Sequence, residues 1–301
     1  MRRSLTVVVV VTLLAVFAVP VAGATDGGVY ISLGDSVAAG TEGPFAPLTD
    51  HAYTDILYKR LRRDLGLTEH LKLACPGEDS KEMVDGLGSY CYGASPQPWA
   101  GGYPAADSQL DAAVAALTAN AGRVELITIT VGANDILPCL DAADMLSCAA
   151  GQLGQIGANL PVVVGTLRTV APDVPIVAMN YYNPVLAWGL VDPGLADMSQ
   201  LLVQATNDTL EAAYGYFGVP VADVETAFKT FKDPGRVPLN LRVICTYTGM
   251  CEKVAPGEFV LTDWRPTTPE PDPDIHPNLA GHRRLASIFK GAIESAGIVS
   301  G

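Results

Sequence analysis

The sequence predicts an α/β domain built on a parallel sheet. Three observations carry this. Short runs rich in Val, Ile and Leu recur at 28–33, 70–74, 124–131, 174–180 and 219–223. Helical apolar spacing separates them. Gly-rich turns follow several of the runs directly. Strands alternating with helices imply parallel pairing, with helices covering both faces.

Residues 28–33 (Gly-Val-Tyr-Ile-Ser-Leu) read as a buried strand. Residues 53–65 place Tyr53, Ile56, Leu57, Leu61 and Leu65 on one helical face. A short strand follows at 70–74, and an Ala/Leu-rich helix at 107–119. Residues 124–131 (Val-Glu-Leu-Ile-Thr-Ile-Thr-Val) are the strongest strand signal in the chain. A helical region covers 152–170, with Pro161 as a point where it would break. A strand at 174–180, an amphipathic helix at 195–217 and a short fifth strand at 219–223 complete the alternation. Residues 233–275 are rich in Pro, Asp and Thr and read as a long loop, the kind that in compact domains tends to be functional. The last helix spans 278–296, with Leu285, Ile288, Phe289, Ala292 and Ile293 facing inward.

The first 24 residues are set aside from the fold. Arg2 and Arg3 precede 16 uncharged, mostly apolar residues, 4 to 19. Pro20 breaks that run, and Ala22-Gly23-Ala24 forms a small-x-small cleavage site. This is the grammar of a secretory signal peptide. A membrane-spanning helix needs about 20 apolar residues, more than this run offers. Cleavage after Ala24 leaves residues 25–301, one domain of 277 residues. Losing Arg2 and Arg3 moves the net charge from −13 to −15. Such an acidic chain argues against nucleic acid and anionic membranes as partners. No feature calls for an obligate protein partner.

Six cysteines fall as three local pairs, Cys75 with Cys91, Cys139 with Cys148, and Cys245 with Cys251. In an exported chain, pairing in sequence order is the simplest of the 15 possible connectivities. A zinc site is the rival, but no C-x-x-C occurs and none of the four histidines neighbours a cysteine pair. No metal or cofactor is expected.

In a parallel α/β sheet, sites form beyond the carboxyl ends of the strands. Gly34-Asp35-Ser36 follows the first strand. Cys75-Pro76-Gly77-Glu78 follows the second, and Gly132-Ala133-Asn134-Asp135 the third. Asp274-Ile275-His276-Pro277 stands just before the last helix. A serine hydroxyl is a weak nucleophile until a base takes its proton, and neutral imidazole suits that task near pH 7. A tetrahedral oxyanion needs preset donors. The Ser36 and Gly77 N–H groups and the Asn134 amide would supply three. Each element alone is weak, since Gly-Asp-Ser is also an ordinary turn and a lone Asn an ordinary cap. Their joint order, each at a strand end, is specific.

These segments, Leu33-Gly-Asp-Ser-Val-Ala-Ala-Gly40, Ala74-Cys-Pro-Gly-Glu78, Val131-Gly-Ala-Asn-Asp135 and Asp274-Ile-His-Pro-Asn278, resemble the SGNH (GDSL-like) hydrolase superfamily. More narrowly, the chain resembles its exported, disulfide-bearing esterases and lipases of actinobacterial type. The resemblance implies a single-domain three-layer α/β/α fold with a flavodoxin-like sheet of order 2-1-3-4-5. It also implies Ser36 as nucleophile, Gly77 and Asn134 in the oxyanion hole, and His276 as base. The substrate would be a small-molecule or lipid ester. One position departs from the pattern. The family's aspartate three residues before the histidine is Pro273 here, with aspartates at 272 and 274. Three acceptors for the second imidazole nitrogen therefore stay open: Asp274, favoured as nearest, Asp272, and the Pro273 carbonyl.

Other residues have plainer explanations. His51, His70 and His282 read as structural, His282 on its way to the surface of the last helix. Glu270, Asp272 and Asp274 read as a solvated loop rather than a cation site. Tyr181-Tyr182-Asn183-Pro184 follows the fourth strand and reads equally as acyl-pocket lining or as a turn. Hydrolysis of carboxylic esters leads. A phospholipase or acyltransferase with the same residues follows, and a silent binding protein on the same scaffold is the reading from a different class. An α/β-hydrolase lacks support because Ser36 is not in a G-x-S-x-G elbow. A zincin is disfavoured by the absence of H-E-x-x-H.

Overall fold

A computed structural model of the chain describes residues 27–41, 48–97, 102–231, 239–262 and 273–300. Residues 1–24, read above as a signal peptide, and Glu270 and Asp272 lie outside the described residues.

Five parallel strands form the centre: β1 (Gly28–Gly34), β2 (Leu67–Lys72), β3 (Val124–Thr130), β4 (Ile176–Met179) and β5 (Val221–Ala222), in the order β2-β1-β3-β4-β5. This is the order the resemblance implies. Every residue of β1 is buried, as a strand covered on both faces requires. The helices are α1 (Ser36–Ala39), α2 (Tyr53–Leu61), α3 (Ser80–Asp85), α4 (Gln109–Ala119), α5 (Ala133–Ile136), α6 (Met145–Val170), α7 (Pro193–Tyr216), α8 (Val224–Ala227), α9 (Leu239–Tyr247) and α10 (Leu279–Ser295). On one side α2 packs against α10, with Tyr53 stacked on Phe289. On the other, α6 packs against α3, α4 and α7. Leu285, Phe289 and Ile293 are fully buried on the inner face of α10, with Ile288 and Ala292 beside them.

Several boundaries differ from expectation. The second strand runs over Leu67–Lys72 rather than 70–74, because its register against β1 starts at Gly28↔Leu67. The chain stays beside β1 afterwards, and Cys75 N–H still donates to Gly34 O at 2.8 Å. The expected 152–170 helix begins seven residues earlier, at Met145, where Asp144 caps it. Pro161 does not break it. The proline costs one backbone hydrogen bond, but Leu160, Val163 and Val164 around it are fully buried and keep the helix continuous.

The expected loop at 233–275 is largely structured where it is described. It contains α9 and four short strands: β6 (Thr248–Gly249), β7 (Cys251–Ala255), β8 (Glu258–Leu261) and β9 (Asp274–Pro277). β7 pairs with β8, and β9 pairs antiparallel with β6. Their Pro/Asp/Thr-rich composition hid elements too short to show a period. The disulfides join Cys75–Cys91, Cys139–Cys148 and Cys245–Cys251, the sequence-order pairing. No helix among the described residues is long and apolar enough to cross a membrane.

Candidate active site

β1 ends at Gly34, whose φ is +134°. A Cβ there would lie 2.0 Å from the Thr130 carbonyl oxygen, so only glycine lets the chain leave the sheet this close to β3. The Gln109 side chain grips both sides of that glycine. Gly34 N–H donates to its Oε1 at 2.6 Å, and its Nε2 donates to Gly34 O at 3.0 Å. Asp35 then caps α1, accepting from Val37 N–H at 2.9 Å. Ser36 therefore opens α1 at the carboxyl edge of the sheet, 8% exposed.

His276 stands opposite, on β9. Its Nε2 lies 2.8 Å from Ser36 Oγ and its Nδ1 2.6 Å from Asp274 Oδ1. The same Asp274 oxygen accepts the His276 backbone N–H at 3.1 Å. One carboxylate oxygen thus reaches both the ring and the main chain of a residue two positions on, at a point where the pairing of β9 with β6 is irregular. A carboxylate at Nδ1 fixes the tautomer, with the proton on Nδ1 and the lone pair of Nε2 facing the serine hydroxyl. Of the three acceptors left open by the sequence, Asp274 occupies the position.

Asn134 is the second residue of α5, the short helix after β3, and lines the same cleft as Ser36 and His276. Its Nδ2 donates to Glu78 O at 3.0 Å. That bond joins the third strand end to the second, where Gly77 sits. Gly77 has φ +82°, and a Cβ on it would meet the Tyr90 ring at 2.8 Å. Two further ties fix these loops. Asp135 accepts from Ser80 N–H at 2.9 Å and from Ser80 Oγ at 2.6 Å. Cys75–Cys91 closes the Gly77 loop from behind.

Three groups escaped the sequence reading. Gln109 comes from 75 residues away, and no local signal marks it. Glu78 is fully buried, and burial pushes its carboxyl up to about 8, so it is neutral at pH 7 and its Oε2 takes a 2.6 Å bond from Ser89 Oγ. Asp35 is also buried. Burial raises it to about 6, against the pull of a 2.5 Å bond from Tyr181 OH.

The cleft beside Ser36 holds about 700 Å3 of non-atom space, part of it open to solvent. Ile136, Leu137, Leu140, Val185, Leu202 and Val203 make it apolar. Tyr181, Tyr182 and Asn183 line it too; the two tyrosine hydroxyls bond Asp35 and Ile275, and Asn183 accepts from Val185 N–H in the turn that follows. The remaining histidines are structural. His70 stacks on Tyr30 at 4.5 Å and bonds Ser32 Oγ at 2.9 Å. His51 lies 3.4 Å from Asp50. His282 does not approach the surface. It is fully buried, takes the Tyr53 N–H at 3.1 Å, and burial lowers it to about 3. No cluster of three metal-ligating side chains occurs among the described residues.

The model of the GDSL-like lipase/acylhydrolase family matches residues 32–284. Among solved structures, the chain is similar to phospholipase A1 from Streptomyces albidoflavus NA297, at TM-score 0.55 and 15% identity over 88% of this chain and 99% of that one. It is similar to an extracellular lipase from Streptomyces rimosus, at TM-score 0.54 and 17% identity over 88% and 99%. It is also similar to a putative GDSL-like lipase from Parabacteroides merdae, at TM-score 0.55 and 12% identity over 90% and 96%. At these identities the structures speak for the fold. Comparison of the sequence with curated proteins finds no match.

Proposed function

The chain belongs to the GDSL-like lipase/acylhydrolase family, and on that premise we propose that it is a secreted serine esterase working through an acyl-enzyme on Ser36. Ser36 Oγ attacks the ester carbonyl while His276 Nε2 takes its proton. Asp274 holds the imidazole in the right tautomer and stabilises the imidazolium that forms. The Ser36 and Gly77 N–H groups and the Asn134 amide receive the negative charge on the carbonyl oxygen. His276 then returns the proton to the leaving alkoxide. Water, activated by the same imidazole, attacks the acyl-enzyme and releases the acid and free Ser36.

One observation supports this reading above the rest. Ser36 Oγ, His276 and Asp274 form a continuous hydrogen-bonded line, and Ser36 and His276 line an apolar cleft. A silent binding protein has no need of that line. Phospholipid cleavage or acyl transfer would use the same acyl-enzyme with a different leaving group or acceptor, and the apolar walls suit either. Export rests on the signal-peptide grammar of residues 1–24 and fits three disulfides.

The test is a hydrolysis profile over p-nitrophenyl esters from C2 to C16, beside a phospholipid and an acetylated sugar, for wild type and Ser36→Ala. The reading expects ester turnover that Ser36→Ala abolishes. Full activity in folded Ser36→Ala would remove it.

A further inference from the structure

We propose that Tyr181 and Tyr182 are positioning residues that set the nucleophile and the base in register, Tyr181 by holding the turn that carries Ser36 and Tyr182 by holding the strand that carries His276. This rests on the catalytic reading above and adds the device that aligns its two parts.

The two tyrosines are consecutive, directly after β4, yet their hydroxyls end on opposite halves of the site. Tyr181 OH donates to Asp35 Oδ2 at 2.5 Å, and Asp35 is the neighbour of Ser36 that caps its helix. Tyr182 OH donates to Ile275 O at 2.9 Å, and Ile275 is the neighbour of His276. Residues 146 and 93 positions apart in sequence are thereby referred to one dipeptide. Phenylalanine would fill the same volume, so the hydroxyls are what these bonds require.

The dipeptide is itself fixed. The Asn207 side chain accepts from Tyr181 N–H at 2.8 Å and donates to Tyr181 O at 2.9 Å. The Tyr182 ring stacks on Phe228 at 4.9 Å. The element it holds has little else of its own. β9 is four residues long and lies outside the five-stranded sheet, with a ladder of two residue pairs to β6. A bond from the main sheet's edge to Ile275 O supplies a reference that this ladder does not. An error of about 1 Å in such a site costs roughly 100-fold in rate.

Asp35 offers a readout that packing alone would not move. The groups facing it are Tyr181 and Tyr182 after β4, Tyr53 on α2, Tyr214 on α7 and His276 on β9. Of these only His276 can bring positive charge. An ionised Asp35 therefore favours the imidazolium of the transition state. Burial already raises Asp35 to about 6, and the Tyr181 hydrogen bond pulls it down. Losing that bond raises it further, so the carboxylate is lost at a higher pH.

The experiment measures kcat, KM, the pH profile of kcat/KM and thermal stability for wild type, Tyr181→Phe, Tyr182→Phe and the exposed control Tyr216→Phe, on p-nitrophenyl butyrate. Each of the first two variants is expected to lose about 10- to 100-fold in kcat with KM within about threefold. Tyr181→Phe should also move the acid limb to higher pH, while Tyr216→Phe matches wild type. Wild-type kcat in both variants with an unmoved acid limb would overturn the proposal, as would losses that merely track the folded fraction. A wild type that hydrolyses no ester and binds no serine-directed probe would instead fail the catalytic reading itself.

Discussion

Asp274 bears more than one demand. It orients His276 through Nδ1, and it also accepts the main-chain N–H of the same residue. Asp274→Asn keeps the shape but can hold the wrong tautomer, and in a Ser-His-Asp site that costs about 10⁴ in kcat. Steady-state kinetics of the purified variant check this; activity within about tenfold would assign the orienting role elsewhere. Asn134→Ala should cost about 10²–10³ in kcat with little change in KM, because an oxyanion donor acts most in the transition state. A KM-only effect would count against the role. Glu78 gives a stability prediction. Its folded carboxyl titrates at about 8 against an ordinary value of 4.5, so the fold binds the proton more tightly than the unfolded chain does. Glu78 therefore destabilises the fold progressively as pH rises from about 4.5 to about 8, and not further above that. Glu78→Gln should flatten this slope and raise Tm at pH 8 relative to wild type; calorimetry showing parallel slopes would contradict it.

At the scale of elements, the disulfides guard the loops rather than the sheet. Cys75–Cys91 backs the Gly77 loop, and Cys139–Cys148 ties the turn carrying Leu137 and Leu140, which wall the cleft, to α6. A loop of about 15 residues closed in this way is worth roughly 3 kcal/mol in the chain-entropy model. Mild reduction should cut esterase activity before far-UV circular dichroism changes, and loss of both together would contradict this order. The strand ends carrying Ser36 and Asn134 were legible in the sequence because buried parallel strands are continuous apolar runs followed by abrupt Gly-containing turns, whereas β2, a polar and half-exposed edge strand, was placed three residues late. His276 was legible from Asp274-Ile275-His276-Pro277 ahead of a strongly amphipathic helix. Gln109, Asp35's partner Tyr181 and the strands β6 to β9 were not. Their pairings join distant residues or span two to five positions, and neither leaves a local period. Pro161 misled for a related reason, since buried neighbours outweighed a local breaker.

For the whole molecule, one sheet brings the turns after β1, β2 and β3 to a common edge, and His276 reaches them from outside that sheet. The order β2-β1-β3-β4-β5 puts β1 between β2 and β3, so the loops after those two strands flank Ser36 on either side. The fold thus sets Ser36 between the loops that carry Gly77 and Asn134, while β9 brings His276 Nε2 to 2.8 Å from its Oγ. The central claim is that Ser36 is an activated nucleophile, which places a covalent label on one residue. The direct measurement is labelling of the intact protein with a fluorophosphonate, followed by peptide mass mapping, for wild type, Ser36→Ala and His276→Ala. The account predicts one equivalent of label on the peptide containing Ser36, none in Ser36→Ala, and labelling slowed by orders of magnitude in His276→Ala. Label on another residue, or undiminished labelling of folded Ser36→Ala, would contradict it.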